Sequence, residues 1–153
     1  MNLDPWLHLA HILGAVVWVG GGLMLSVIGL RARRSGDIGI IRDFAQTLSY
    51  VGLRLFLPAV LVLLVTGVWL VLSGGGNFLQ LWVLLALGGF AVAFLIAVGY
   101  LSGVVVELER VAGQSDASRA DVGALLGRWI AGWGIVLLVL ALTVGDMVLK
   151  PGQ

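Results

Sequence analysis

Cysteine is absent from this chain of 153 residues, and histidine occurs only twice, as His8 and His11. Without cysteine there is no disulfide framework, no iron–sulfur cluster and no thiolate metal site. Charged side chains are also scarce, at 11% of residues against roughly a quarter in a soluble domain. Lysine occurs once, as Lys150. We therefore expect the lipid bilayer to surround this protein, and no nucleic acid among its partners.

Hydrophobic residues instead make up 60% of the chain, and the mean hydropathy is +1.10. Four apolar stretches are each long enough to cross a hydrocarbon core of about 30 Å as a helix. They cover about residues 6–30, 50–73, 78–103 and 129–149. The sequence therefore predicts an all-α, polytopic membrane protein, with residues 1–153 forming a single transmembrane domain folded as a four-helix bundle.

Basic residues are distributed unequally between the two ends of these predicted spans. Eight arginines flank the first and second polar connections, namely Arg31, Arg33, Arg34, Arg42, Arg54, Arg110, Arg119 and Arg128. Only Lys150 lies at the opposite end. The positive-inside rule therefore places both polar connections in the cytoplasm and the N and C termini outside.

Helix signals in the polar connections extend two of the spans. Asp37 precedes an apolar stripe of helical spacing, which predicts an N-cap and an amphipathic helix that continues into the second span. Ser118 likewise precedes apolar residues that lead into the fourth span, which predicts an N-cap there. Pro58 removes one helical hydrogen bond inside the second span, so a kink is expected there.

The first apolar stretch combines both histidines with little side-chain bulk. At 100° per residue, one face of this helix carries a histidine, an aromatic residue and several glycines. Its members are His11, Gly14, Ala15, Trp18, Gly21, Gly22, Leu25 and Gly29. Such a face suits either a neighbouring helix or a flat ligand, and the sequence alone leaves both open.

The predicted topology brings the start of the first span level with the end of the fourth. His8 and His11 then share a depth with Asp146, Met147 and Lys150. In one interpretation, Asp146 orients an imidazole and fixes its tautomer. In the other, Asp146 and Lys150 form an ion pair between positions i and i+4, and the histidines bond to lipid headgroups.

Three ligands suit this group of side chains. A b-type haem is favoured, with His11 as axial ligand, Trp18 packed on the ring, and Gly22, His8, Asp146 and Lys150 nearby. Copper is the alternative, bound by His8, His11 and the Met147 thioether, which match Cu(I) in softness. A quinone head group is the third. Because His8 and His11 cannot bind one iron from opposite sides, the sixth ligand falls to Met147, Lys150, water or a second protomer.

The segment from His11 to Gly21, HILGAVVWVGG, resembles the first-helix signature of small bacterial membrane families grouped around CopD-type copper-resistance proteins and HemJ-type protoporphyrinogen oxidases. It is most similar to an uncharacterised four-helix family of that group. The pattern Arg54…Pro58…Thr66-Gly67 and the ending Met147–Pro151 are similar too. The resemblance implies a bacterial cytoplasmic membrane protein that binds haem through His11. HemJ-type catalysis relies on a lysine inside the bundle, and this chain has no lysine before Lys150. CopD-type proteins are larger than this chain.

Small residues at helical spacing suggest contacts beyond a single bundle. The pairs Gly99/Gly103 and Gly123/Gly127 form seams of the kind that pack membrane helices closely. We therefore expect a homodimer or a place in a larger membrane complex. A non-catalytic accessory subunit is the corresponding alternative function, and an enzymatic activity is left open because no complete catalytic set is present.

Overall fold

The computed structural model describes residues 4–74 and 77–151, which form four long helices. Helix α1 spans Pro5–Ser35, α2 spans Ile38–Ser73, α3 spans Leu81–Ala112 and α4 spans Arg119–Leu149. All four are long and apolar enough to cross a membrane, and the described ranges contain no β-strand. The all-α, four-helix membrane fold expected from the sequence is confirmed.

The N-caps of α2 and α4 form as the sequence predicts. The Asp37 side chain accepts hydrogen bonds from the backbone N–H groups of Gly39 and Ile40, at 2.8 and 3.2 Å. Ser118 accepts one from the backbone N–H of Ala120 at 3.2 Å. Each cap satisfies N–H groups that have no partner within the helix. The amphipathic helix predicted after Asp37 continues without a break into the second span.

The four helices pack in a ring, but not equally along their length. At the arginine-rich end, α1 contacts α2 and α4, α3 contacts α4, and residues 38–51 of α2 contact residues 102–112 of α3. At the opposite end, the close backbone contacts are those of α1 with α2 and of α3 with α4. The bundle is therefore most tightly joined at the end predicted to face the cytoplasm.

Glycines of α1 allow aromatic rings of the other helices to reach its backbone. Phe56 of α2 stacks on Trp133 of α4 at 5.6 Å between ring centroids, and Trp133 stacks on Trp129 at 5.9 Å. The Trp133 indole lies where a side chain at Gly22 would stand, and a Cβ at Gly21 would lie 2.8 Å from the Phe56 ring. Close helix packing through small residues is expected in lipid, where dispersion contacts replace the hydrophobic effect.

Three of the four helices contain an internal π-helical segment. These segments are Val16–Gly20 in α1, Gly52–Phe56 in α2 and Leu95–Leu101 in α3. In α2, the backbone N–H of Leu57 bonds to the carbonyl of Gly52, five residues earlier, directly before Pro58. Proline cannot donate to the carbonyl four residues before it, so a local change of hydrogen-bond pattern beside Pro58 is physically expected.

We predict that Gly22→Ala destabilises the bundle by about 1–3 kcal/mol, because the new methyl group overlaps an indole wedged between two other rings. The matched control is Gly20→Ala in the same helix, where a Cβ meets nothing within 4 Å. It should change stability by less than about 0.5 kcal/mol. Reversible unfolding in mixed micelles measures both, and equal stabilities would contradict this account of the core.

The predicted orientation in the membrane is tested by labelling, since the natural chain has no cysteine. A cysteine at Asn77, which is exposed after α2, should react with an impermeant maleimide in intact cells. A cysteine at Ser115, exposed between α3 and α4, should react only after permeabilisation. The reverse pattern would invert the topology.

Candidate functional site

His11 is held by a hydrogen bond between two transmembrane helices. Its Nδ1 lies 2.9 Å from the Oγ1 of Thr66 on α2. Thr66 is buried, and its hydroxyl lies 2.6 Å from the carbonyl oxygen of Val62, one turn earlier in its own helix. A polar side chain at this depth needs such a partner, because an unpaired polar group in hydrocarbon costs several kcal/mol.

This geometry assigns the tautomer of the imidazole. A threonine hydroxyl has a single proton, and Thr66 donates it to the carbonyl of Val62. Oγ1 can then only accept from His11, so Nδ1 carries the proton and donates it. In the neutral ring, Nε2 is left with a lone pair. Metal-binding histidines are commonly fixed in this way, with one nitrogen bonded to the protein and the other directed to the metal.

Gly67 provides the space in which the His11 ring lies against α2. A Cβ at Gly67 would stand 3.2 Å from Cε1 of His11. One turn away on α1, a Cβ at Gly14 would stand 3.2 Å from the carbonyl oxygen of Ala59. The two helices therefore approach closely on both sides of the imidazole, and the Thr66-Gly67 dipeptide supplies both its hydrogen-bond acceptor and its contact surface.

The acidic and basic groups at the end of α4 do not join this site. Thr143 packs against Gly89 of α3, and Nζ of Lys150 lies 5.4 Å from the ring centroid of Trp82, also on α3. Both carboxylate oxygens of Asp146 are buried without a hydrogen-bond partner among the described residues. The hydrogen bond predicted between Asp146 and an imidazole is thus not formed, and Thr66 takes that role. The Asp146–Lys150 ion pair is not formed either.

The open face predicted on α1 is largely filled by protein. Trp18 is buried and meets Phe90 of α3 edge to face, with the centroids 5.7 Å apart. Gly22 packs against Trp133. At Gly22, this face therefore contacts a neighbouring helix rather than a ligand. The ligand contact proposed for Gly22 has no space in this arrangement.

The other candidate metal ligands differ in exposure. His8 is exposed and Met147 is half-buried. Within residues 4–74 and 77–151, no group of three or more His, Asp or Glu side chains is placed to hold a metal ion. The imidazole of His11 has a defined partner in Thr66. Thr66 and Gly67 entered the sequence argument only through the family resemblance, because no local pattern links them to a histidine 55 residues earlier.

Four membrane-spanning helices and a histidine fixed between two of them define a multi-pass integral membrane protein with a candidate ligand-binding site. The family model of predicted integral membrane proteins designated DUF2269 matches residues 5–151, so the chain belongs to that family. This agrees with the expected membership of an uncharacterised membrane family. Neither a curated protein nor a solved structure matches the chain.

We predict that Thr66→Val releases the His11 tautomer. Without the Oγ1 acceptor, Nδ1 loses its partner and the population of the Nε2–H form should rise. Nitrogen-15 NMR of histidine-labelled protein in detergent measures this, with the signals assigned in a His8→Gln variant. Thr143→Val is the matched control, since Thr143 is also buried and bonds within its own helix. An unchanged His11 signal in Thr66→Val would disprove the assignment.

Proposed function

We propose that this integral membrane protein binds a redox cofactor, b-type haem, through His11 near the outer membrane surface. The observation that carries the proposal is the His11–Thr66 hydrogen bond, which favours the proton on Nδ1 and so the lone pair of the neutral ring on Nε2. An imidazole oriented by a second residue is the usual protein ligand of haem iron in helical bundles. Haem or electron-transfer metabolism is the role in which such a protein would act.

The surroundings of His11 support a ligand at the edge of the bundle. His11 is half-buried, so part of the ring remains accessible. His11 does not line either of two cavities in the arginine-rich half of the bundle. An iron at Nε2 would therefore lie between this protein and lipid, or between this protein and a second protomer. The second arrangement would also supply the sixth ligand that the chain's own histidines cannot.

When bound, haem iron supplies one-electron chemistry by changing between its ferrous and ferric states. The protein's part is to hold and tune it. Thr66 fixes the ring orientation and tautomer, while Gly67 and Gly14 allow the helix contact that keeps the imidazole in place. An enzymatic activity like that of HemJ-type oxidases would need further groups, because the only lysine of this chain lies beside Trp82.

Copper handling is supported less well by the same geometry. A Cu(I) site built from His8, His11 and Met147 needs all three donors around one ion. The structure engages the Nδ1 of His11 with Thr66, so this ring offers copper a single nitrogen. The resemblance to CopD-type proteins therefore contributes less to the proposal than the resemblance to HemJ-type proteins.

A role as an accessory subunit has one observation in its favour. Gly99 and Gly103 of α3 are exposed, and a Cβ at either position would meet nothing within 4 Å. This predicted seam is thus unused inside the bundle and remains available to another transmembrane helix. In the haem proposal, a homodimer or larger complex that packs on it is an additional expectation.

The haem proposal predicts a Soret band in the absorbance spectrum of protein purified in mild detergent from cells that make haem. His11→Ala should abolish the band, because it removes the iron ligand. His8→Ala is the matched control; it removes the neighbouring imidazole one turn away and should only perturb the spectrum. Thr66→Val should retain the band with a shifted reduction potential, since it alters only the partner of Nδ1.

The outcomes separate the alternatives. A full and unshifted spectrum in His11→Ala would disprove the ligand assignment. A colourless protein with one copper per chain by elemental analysis would replace haem with copper. A colourless and metal-free protein that copurifies with another membrane protein would support the accessory role instead.

A further inference from the structure

A cavity of about 350 Å³ lies in the arginine-rich half of the bundle, between α2 and α3. This volume is within the range of about 300–1,000 Å³ typical of small-molecule sites. All three π-helical segments contribute to its wall, through Trp18 on α1, Phe56 on α2 and Leu101 on α3. Such segments are rare and occur frequently at functional sites, so their convergence on one cavity indicates a binding site.

The lining determines which kind of molecule fits. It is apolar apart from two hydroxyl groups and the indole N–H groups of its tryptophans. The N–H of Trp133 is buried against Gly22 and has no hydrogen-bond partner among the described residues, whereas both hydroxyl groups have partners. Ser49 donates to the carboxylate of Glu109 at 2.6 Å, and Ser102 donates to the carbonyl of Val98. A ligand head group rich in oxygen would lose most of its hydrogen bonds to water here. The cavity therefore suits a hydrocarbon chain.

The mouth of the cavity opens sideways, toward lipid. Leu53 of α2 is 70% exposed although it lines the cavity, and Val106 of α3 is 64% exposed. Both belong to membrane-spanning helices, so the molecules that reach the opening come from the bilayer itself. Hydrocarbon chains of lipids are the most abundant of these.

The charges beside the mouth select among lipids. Arg54 follows Leu53 directly, is exposed, and has its guanidinium carbon 5.4 Å from the ring centroid of Tyr50. Within the described ranges only Arg110 forms an ion pair, with Glu107. The other arginines at this end are exposed and lack acidic partners. Guanidinium groups bind phosphate in a bidentate manner, and basic clusters at membrane surfaces attract anionic lipids.

From this combination we propose that the cavity binds one acyl chain of an anionic phospholipid, whose phosphate pairs with Arg54. The occupant belongs to the leaflet on the arginine-rich side, which the predicted topology identifies as cytoplasmic. The site is separate from His11, which does not line the cavity. A specifically bound lipid would fill the space between α2 and α3, where the helices are joined mainly by residues 38–51 and 102–112.

Native mass spectrometry tests the proposal on delipidated protein in mild detergent. The probes are phosphatidylglycerol and phosphatidylcholine with identical chains. We expect one tightly retained phosphatidylglycerol per chain and about fivefold weaker retention of phosphatidylcholine, in line with one basic contact at a membrane surface. Arg54→Gln should remove this preference because Arg54 adjoins the lining residue Leu53. Arg42→Gln should retain it, because this exposed arginine lies about three turns earlier in the same helix, away from the mouth.

A second pair of variants locates the acyl chain. Ala97→Phe puts a ring into the cavity and should reduce retention of both lipids at least fivefold. Leu95→Phe places the same ring two residues earlier on the exposed face of α3 and should leave retention unchanged. Equal retention in these two variants, or equal retention of the two lipids by the natural chain, would overturn the proposal. If Ala97→Phe does not fold, Ala97→Leu takes its place, with the thermal shift caused by phosphatidylglycerol as readout.

Discussion

The close approach of aromatic rings to the backbone of α1 is the constraint on which this bundle depends. Lipid offers transmembrane helices no hydrophobic gain on association, so van der Waals contact must hold them together. Gly21 and Gly22 provide it by admitting Phe56 and Trp133 from two different helices. Trp133 in turn stacks on Trp129, whose ring meets Phe44 edge to face. One pair of glycines thus connects three helices through a continuous set of rings.

This packing also separates the two proposed binding sites in space. The stack fills the centre of the arginine-rich half, whereas His11 lies on the other side of Trp18, between α1 and α2 alone. A ligand at His11 and a lipid chain at Phe56 would therefore contact different residues of the same helix pair. Because α1 and α2 form both surroundings, the two sites share a scaffold without sharing a side chain.

The fold was predictable from the sequence because each of its determinants is local. Span length, the arginine distribution and the caps at Asp37 and Ser118 depend on neighbouring residues, and the structure confirms four helices and both caps. The site was predictable only in part. His11 was identified because a polar group in lipid needs a partner, but the partner is Thr66 rather than Asp146. Whether Asp146 reaches His11 depends on the rotation of α4 about its axis. Thr143 of α4 packs against Gly89, so this face of α4 is directed toward α3. Periodicity within one helix contains no information about such a rotation.

The internal π-helical segments affect how this sequence tolerates deletions. Each such segment can be regarded as one residue inserted into a regular helix. In α2, the rotation of residues 38–51, which pack on α3, relative to Thr66 is set by the π-helical segment Gly52–Phe56. Removal of a single residue there would restore ordinary helical bonding and swing one half of α2 by roughly a quarter turn against the other. The π-helical segment therefore sets the rotation of the cavity wall relative to the His11 contact. A one-residue deletion at this point is more disruptive than most substitutions.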